Sequence, residues 1–260
     1  MATLCSSTSR AGAAVGSAVD GCPDLRVEIT GIEITPKTPA QTYALKLSWA
    51  ARAPHCFTIS GFAIRGVVTF AGGQTRSFAG TASGDQTHLI IQVSGLAGPL
   101  PAPGGSDFSR LPKRLAVNVV ATATAPVAGD SSAVQGGTGS QPCPLVATVQ
   151  LTEAAFDGNV LTADVGSDRH PRVKVLWQLP NLPDCHSINQ FTIQVTMRAG
   201  DRTFRQTATA PGTHRSASVI FDAAVAADFR PERVNAVITA RGQAKITGSA
   251  RTEVQVNSAS

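Results

Sequence analysis

Four cysteines have the types and spacing that most clearly invite chemistry. Cys22 and Cys143 each stand before a proline, in CPDLRVEI and CPLVATVQL. Cys56 and Cys185 each follow a proline by two positions, in PHCFTISGFAI and PDCHSINQFTI. A fifth, Cys5, lies near the N-terminus. Zinc binding and disulfide formation are the two chemistries such residues support. For zinc, His55 precedes Cys56 and His186 follows Cys185, yet each copy then presents three ligands at most, without C-x-x-C spacing, where a structural site takes four. Disulfides fit better. If each first cysteine opens a strand and each second one follows the next strand, an antiparallel hairpin brings the two ends together. That predicts Cys22–Cys56 and Cys143–Cys185, within the ~5.5 Å Cα separation a bridge requires. Each bridge closes a loop of about 35 to 43 residues, worth about 3.5–4 kcal/mol in the chain-entropy model. Duplicated pairs imply an oxidising final location. Cys5 is left over, as an unused thiol or an intermolecular link.

No catalytic constellation accompanies the cysteines. G-x-S-x-G, H-E-x-x-H, a Walker loop, a dinucleotide fingerprint and an EF-hand loop are all missing from the sequence. His88, His170 and His214 sit in loop-like or turn-adjacent contexts and are expected to be solvated. Asp157-Gly158-Asn159 could join a calcium site, but a hairpin turn explains it better. The expectation is a non-enzyme with no metal and no cofactor. A contact site is expected instead in GLAGPLPAPGGSDF, Gly95 to Phe108, a Pro/Gly-rich loop found only in the first half of the chain. Loops of this length in compact domains are commonly functional. Its apolar Leu96, Leu100 and Phe108 are the candidate binding residues.

The elements that position these residues form a repeat. YALKLSW ends in Trp49 and RVKVLW in Trp177, the chain's two tryptophans. Pro54, Cys56, Ile59, Phe62 and Ile64 match Pro183, Cys185, Ile188, Phe191 and Ile193 without a gap, and LPKRLAVNVVATA parallels RPERVNAVITA. The boundaries read as an N-terminal arm over 1–20, a first domain over 21–137, a linker over 138–142 and a second domain over 143–256. Within each copy the apolar period is two, the signature of strands. In the first copy it predicts strands at 25–34, 43–51, 61–71, 75–81, 87–94, 114–124 and 131–135. Seven short strands between Gly, Pro and Asp turns indicate a Greek-key β-sandwich, so the chain is all-β. Each tryptophan is then the large inward side chain of one sandwich, sharing a face with Leu45 and Leu47 or with Val173 and Val175. Such burial is worth roughly 2–3 kcal/mol or more.

These strands resemble those of fibronectin type III domains. ALKLSW followed by AARAP is similar to the family's second strand, closed by a tryptophan before a Pro-containing loop. GFAIRGVVTFAGG, THLIIQVSGL and LAVNVVATA resemble its third, fifth and sixth strands, and the second copy follows more loosely. One departure stands out. The family places a tyrosine at the start of the sixth strand, where this chain has Leu115 and Val234. The resemblance implies two tandem seven-stranded sandwiches of fibronectin type III or immunoglobulin-like type.

Composition limits the function classes. Hydrophobic residues make up 42% and charged residues 15%, enough apolar material for packed cores. No apolar run approaches the ~20 residues that cross a bilayer as a helix. The net charge of +5 comes from scattered Arg and Lys with no aromatic interleaving, which argues against a specific nucleic-acid site. The N-terminal segment lacks the apolar run of a secretory signal. The expected function is a structural or binding protein on an extracellular particle, such as a phage decoration, tail or fibre component. The alternative is a secreted or cell-surface adhesive or carbohydrate-binding protein whose signal has been trimmed. The expected partners are other subunits of an assembly, in an oligomer or larger particle, with surface glycans as a further class. The arm over 1–20 is a candidate strand donor to a neighbouring subunit.

Overall fold

In the computed structural model, residues 22–37, 42–94, 112–132, 145–161 and 169–256 are described, and every regular element among them is a strand. In chain order these are β1 (Arg26–Lys37), β2 (Thr42–Arg52), β3 (Thr58–Phe70), β4 (Thr75–Ser83), β5 (His88–Ser94) and β6 (Pro112–Asp130). They continue with β7 (Leu145–Val146), β8 (Gln150–Leu161), β9 (Arg169–Gln178), β10 (His186–Ala199), β11 (Arg202–Pro211), β12 (Ser216–Ile220) and β13 (Arg233–Gln255). Among the described residues no helix is long and apolar enough to cross a membrane.

The chain divides into two compact units, and neither is a continuous stretch. Unit 1 holds residues 1–124 and 245–260, and unit 2 holds 125–244. The reason is the length of two strands. β6 alternates buried and exposed residues through 19 positions and β13 through 23, where a sandwich strand usually has 3–10. Each strand therefore serves one unit with its first part and the other with its second. Residues 112–124 of β6 complete unit 1, and 125–130 belong to unit 2. Residues 233–244 of β13 belong to unit 2, and 245–255 to unit 1. The seventh strand of each sandwich thus comes from the sixth strand of the other repeat. This differs from the expected domains over 21–137 and 143–256; of the expected last strand at 131–135, Ser131 and Ser132 form a turn and 133–135 lie outside the described residues. Ala125 to Asp130, which falls between the expected strands at 114–124 and 131–135, continues the strand with Pro126 at an exposed position. Turn geometry begins at Ser131 and Ser132, where the Asp130 carboxylate accepts from the Ser132 N–H at 2.7 Å.

In unit 1 one sheet has the order β1-β2-β5 and the other β4-β3-β6-β13. β1 pairs with β2 antiparallel from Arg26↔Arg52 to Lys37↔Thr42, and the Val256 N–H donates to the Lys113 carbonyl along the exchanged strand. Between the sheets Trp49 meets Phe62 at 5.1 Å between ring centroids and Tyr43 meets Phe70 at 6.1 Å. Leu45, Leu47 and Trp49 share the buried face of β2, as alternation requires. Burial also raises the Tyr43 phenol above its ordinary pKa.

Unit 2 repeats the plan with β8-β9-β12 facing β11-β10-β13-β6, and β7 lies parallel to β6 at Val127↔Leu145. The Ser131 N–H donates to the Ile238 carbonyl at 3.0 Å. Trp177 packs on Phe191 at 5.0 Å, in a core with Val173, Val175, Ile193 and Ile238. Asp157-Gly158 is not a hairpin turn. It is a bulge within β8, between Phe156↔Val173 and Asn159↔Pro171, with Gly158 at φ 101°. Asp157 is held by Arg172 at 2.8 Å, and the Asn159 amide donates to the Ala227 and Phe229 carbonyls.

Two glycines mark where each exchanged strand is crossed. A Cβ on Gly129 would collide with the Ala147 carbonyl, and one on Gly248 with the Leu25 carbonyl. At both places the segment leading into a unit's first sheet passes against the borrowed strand, so a close approach requires glycine.

Candidate binding face of unit 1

The cysteines are the first predicted site. Cys56 and Cys185 occupy the third position of matching turns, in which the Phe57 N–H donates to Pro54 and the His186 N–H donates to Pro183. Cys56 takes a left-handed φ of 72°, a conformation an L-residue holds only when its surroundings fix it. Cys22, Cys56 and Cys185 are all disulfide-bonded. Cys22 is bonded to Cys185, not to Cys56 as the spacing predicted. The register explains the correction. Arg26 and Arg52 do face each other at the end of the β1–β2 hairpin, but the segment before β1 leaves that sheet and runs against β13 at Gly248. Cys185 lies next to His186, which pairs with Ala244, four residues earlier on the same strand. Both cysteines therefore flank β13. Cys143 and Cys5 lie outside the described residues, as do Leu96, Leu100, Phe108 and the arm over 1–20. Among the described residues no group of three or more His, Cys, Asp or Glu side chains is placed to hold a metal.

The histidines divide. His88 and His214 are exposed, but His170 is buried in β9, with Nδ1 2.9 Å from the Phe221 carbonyl. Because a carbonyl only accepts, Nδ1 carries the proton. His186 is half-buried, and desolvation lowers its pKa below the ordinary imidazole value.

The most site-like feature among the described residues was not expected. On the β4-β3-β6-β13 sheet of unit 1, a depression of about 600 Å³ opens to solvent, bordered by Arg65, Val67, Ser77, Ala79, Asn118 and Arg251. Strand alternation puts these six on the outer face, and Gly66, Phe78 and Val117, which alternate with them, also line the depression. The register makes them neighbours: Arg65 pairs with Ala79 on one side and Asn118 on the other, and Val67 pairs with Ser77 and Ala116. Asn118 on β6 stands between the strands that carry the two arginines, and the short Ala79 and Ala116 leave space beside it. Neither Arg65 nor Arg251 has an acidic partner among the described residues, whereas the nearby Arg114 is paired with Glu253. Two unneutralised guanidinium groups beside an amide, a hydroxyl and a small apolar floor can accept an anionic group by hydrogen-bonded, bidentate contact. Unit 2 carries different residues at the matching strand positions. The residue at the place of Arg65 is Gln194, which pairs with Thr207 and Val237. Sequence reading had a signal for Arg65 and Asn118, both outward positions of strands, but Arg251 joins them only through the strand exchange.

No family model matches the chain, and no curated protein matches it. Among solved structures, a two-domain fibronectin type III segment from chicken tenascin is similar over 86% of this chain and 99% of that one, at 14% identity and a TM-score of 0.22. A structure named pT26-6p is similar over 92% of this chain and 66% of its own, at 9% identity and a TM-score of 0.23. The C-terminal globular domain of an oligosaccharyltransferase from Pyrococcus abyssi is similar over 89% and 48%, at 13% identity and a TM-score of 0.19. The strand order is the firmer ground. Three strands facing four, connected in the same sequence in both units, make each unit a seven-stranded fibronectin type III-like sandwich.

Proposed function

We propose that this protein is a non-enzymatic structural and binding component of an extracellular particle surface, in the manner of a phage decoration, tail or fibre subunit. The observation that carries the reading is the combination of disulfide-bonded cysteines with two sandwiches that complete each other's sheets. Disulfides persist in oxidising surroundings. Reciprocal strand exchange ties the opening of either unit to the loss of a strand from the other, which suits a part that must endure outside a cell. The test is fractionation of the native source. The protein is expected in the particle fraction, in fixed ratio to the other subunits. Recovery as a free monomer in the secreted fraction overturns the particle reading.

That second outcome is the one required by the alternative, a secreted or cell-surface adhesive or carbohydrate-binding protein. The depression beside Arg65 and Arg251 favours it specifically, because it is a concave site bordered by two arginines, and the matching strand positions of unit 2 carry Gln194, Thr207 and Val237 instead.

A further inference from the structure

We propose that the unit 1 depression binds the carboxylate of an acidic saccharide. The inference rests on the binding role proposed above and names the ligand class for that role. Arg65 and Arg251 border the depression, Asn118 is the cross-strand partner of Arg65, and Ser77 lies on the opposite rim. A carboxylate held over Asn118 by the two guanidinium groups replaces their hydration with charge-assisted hydrogen bonds, which are roughly twice as strong as neutral ones. Asn118 supplies both a donor and an acceptor, and Ser77 a hydroxyl, for the ring hydroxyls beside a uronate carboxylate. Val67, Ala79 and Ala116 give a small apolar floor for the C–H face of a pyranose. At about 600 Å³ the depression falls within the usual range for small-ligand sites. An acidic peptide fits less well. Its extended backbone needs an unpaired strand edge for augmentation, and the residues bordering the depression lie on the face of a paired sheet.

The experiment is calorimetric titration of the intact, oxidised full-length protein with four probes. These are an oligouronate, a neutral oligoglucan of equal length, a sulfated oligoglucan and oligoglutamate. The oligouronate is expected to bind, with the neutral glycan and oligoglutamate at least tenfold weaker. Arg65→Ala and Arg251→Ala together are expected to weaken the oligouronate at least tenfold, whereas Arg205→Ala in unit 2 leaves it unchanged. All three arginines are exposed, and a thermal melt verifies that each variant folds. Preference for the sulfated glycan assigns the site to sulfate and overturns the carboxylate inference. Equal binding of oligoglutamate reduces it to charge alone, and unchanged binding by the double variant moves the ligand elsewhere. Absence of binding to every probe also overturns the inference. If the protein is then still recovered in the particle fraction, the wider proposal stands without it.

Discussion

Unit 1 and unit 2 share a strand plan, matched tryptophans and matched cysteine turns, but their surfaces have diverged. Trp49 on Phe62 and Trp177 on Phe191 are the same contact made twice. The outer faces are not the same face made twice. Arg65, Asn118 and Ala79 in unit 1 become Gln194, Val237 and Thr207 in unit 2. Cores tolerate little change because each large side chain fills a volume set by the opposite sheet, whereas an outward strand position has no such neighbour. Specialisation therefore belongs on the outer face, and the interior keeps the repeat. Unit 2 differs in a second way: its first strand carries the Asp157-Gly158 bulge, pinned by Arg172, where β1 has only a one-residue shift at Gly31.

The largest expected effect tests the equivalence of the cores. Trp49→Ala and Trp177→Ala should each cost about 3–5 kcal/mol, since each removes a buried aromatic between two sheets. Urea unfolding followed by a probe in each unit checks this. Costs differing by more than about 2 kcal/mol would show that the two tryptophans do unequal work. Next come the crossing glycines. Gly129→Val and Gly248→Val each drive a side chain into a passing backbone, at an expected cost of about 1–3 kcal/mol. Hydrogen exchange should locate the Gly129 loss in unit 2 and the Gly248 loss in unit 1. The reverse assignment would break the exchange. Peptide mapping without reduction should find Cys22 joined to Cys185, and Cys56 joined to Cys143, the cysteine left in the repeat pattern. Recovery of Cys22–Cys56 would contradict the Cys22–Cys185 bridge.

The smallest effect is one of pH and concerns unit 2 alone. Burial lowers the His186 pKa, so in the window between its folded value and the unfolded 6.5 the unfolded chain binds more protons. The stability it contributes is complete above 6.5 and is lost as pH falls through the lowered folded value. The thermal midpoint of unit 2 should drop over that window, and His186→Gln should flatten the drop. A drop unchanged by the substitution assigns it to other groups.

Much of the fold was legible because strand alternation is local. The expected strand at 43–51 is β2 (Thr42–Arg52), and that at 75–81 lies within β4 (Thr75–Ser83). The inward faces of Trp49 and Trp177 followed from the same period. The exchange was missed because Pro126 and Gly129 are local punctuation and the choice they conceal is global. A turn and a continuing strand differ in where 125–130 finds its partners, and no window of ten residues contains them. The clue was present in length: alternation from Leu115 to Gly129 runs too far for one sandwich. The disulfide pairing failed for the same reason. It assumed that each hairpin closes its own unit, and β13 carries residues of both. The binding face depended on it too, since Arg251 is far from Arg65 in sequence and reaches its sheet only as a borrowed strand.

Removal of residues 245–260 tests the strand exchange most directly. In a Trp177→Phe background the single remaining tryptophan, Trp49, reports on unit 1 alone. In the complementary Trp49→Phe background Trp177 reports on unit 2. If the exchange is real, truncation removes the seventh strand of unit 1, so Trp49 fluorescence should shift toward its unfolded emission or its urea midpoint should fall sharply. Trp177 should lose less than Trp49, because unit 2 keeps all its strands and is affected only through β6, which it shares with unit 1. A midpoint that falls for Trp177 and holds for Trp49 would mean that each repeat keeps its own last strand, and would contradict the exchange.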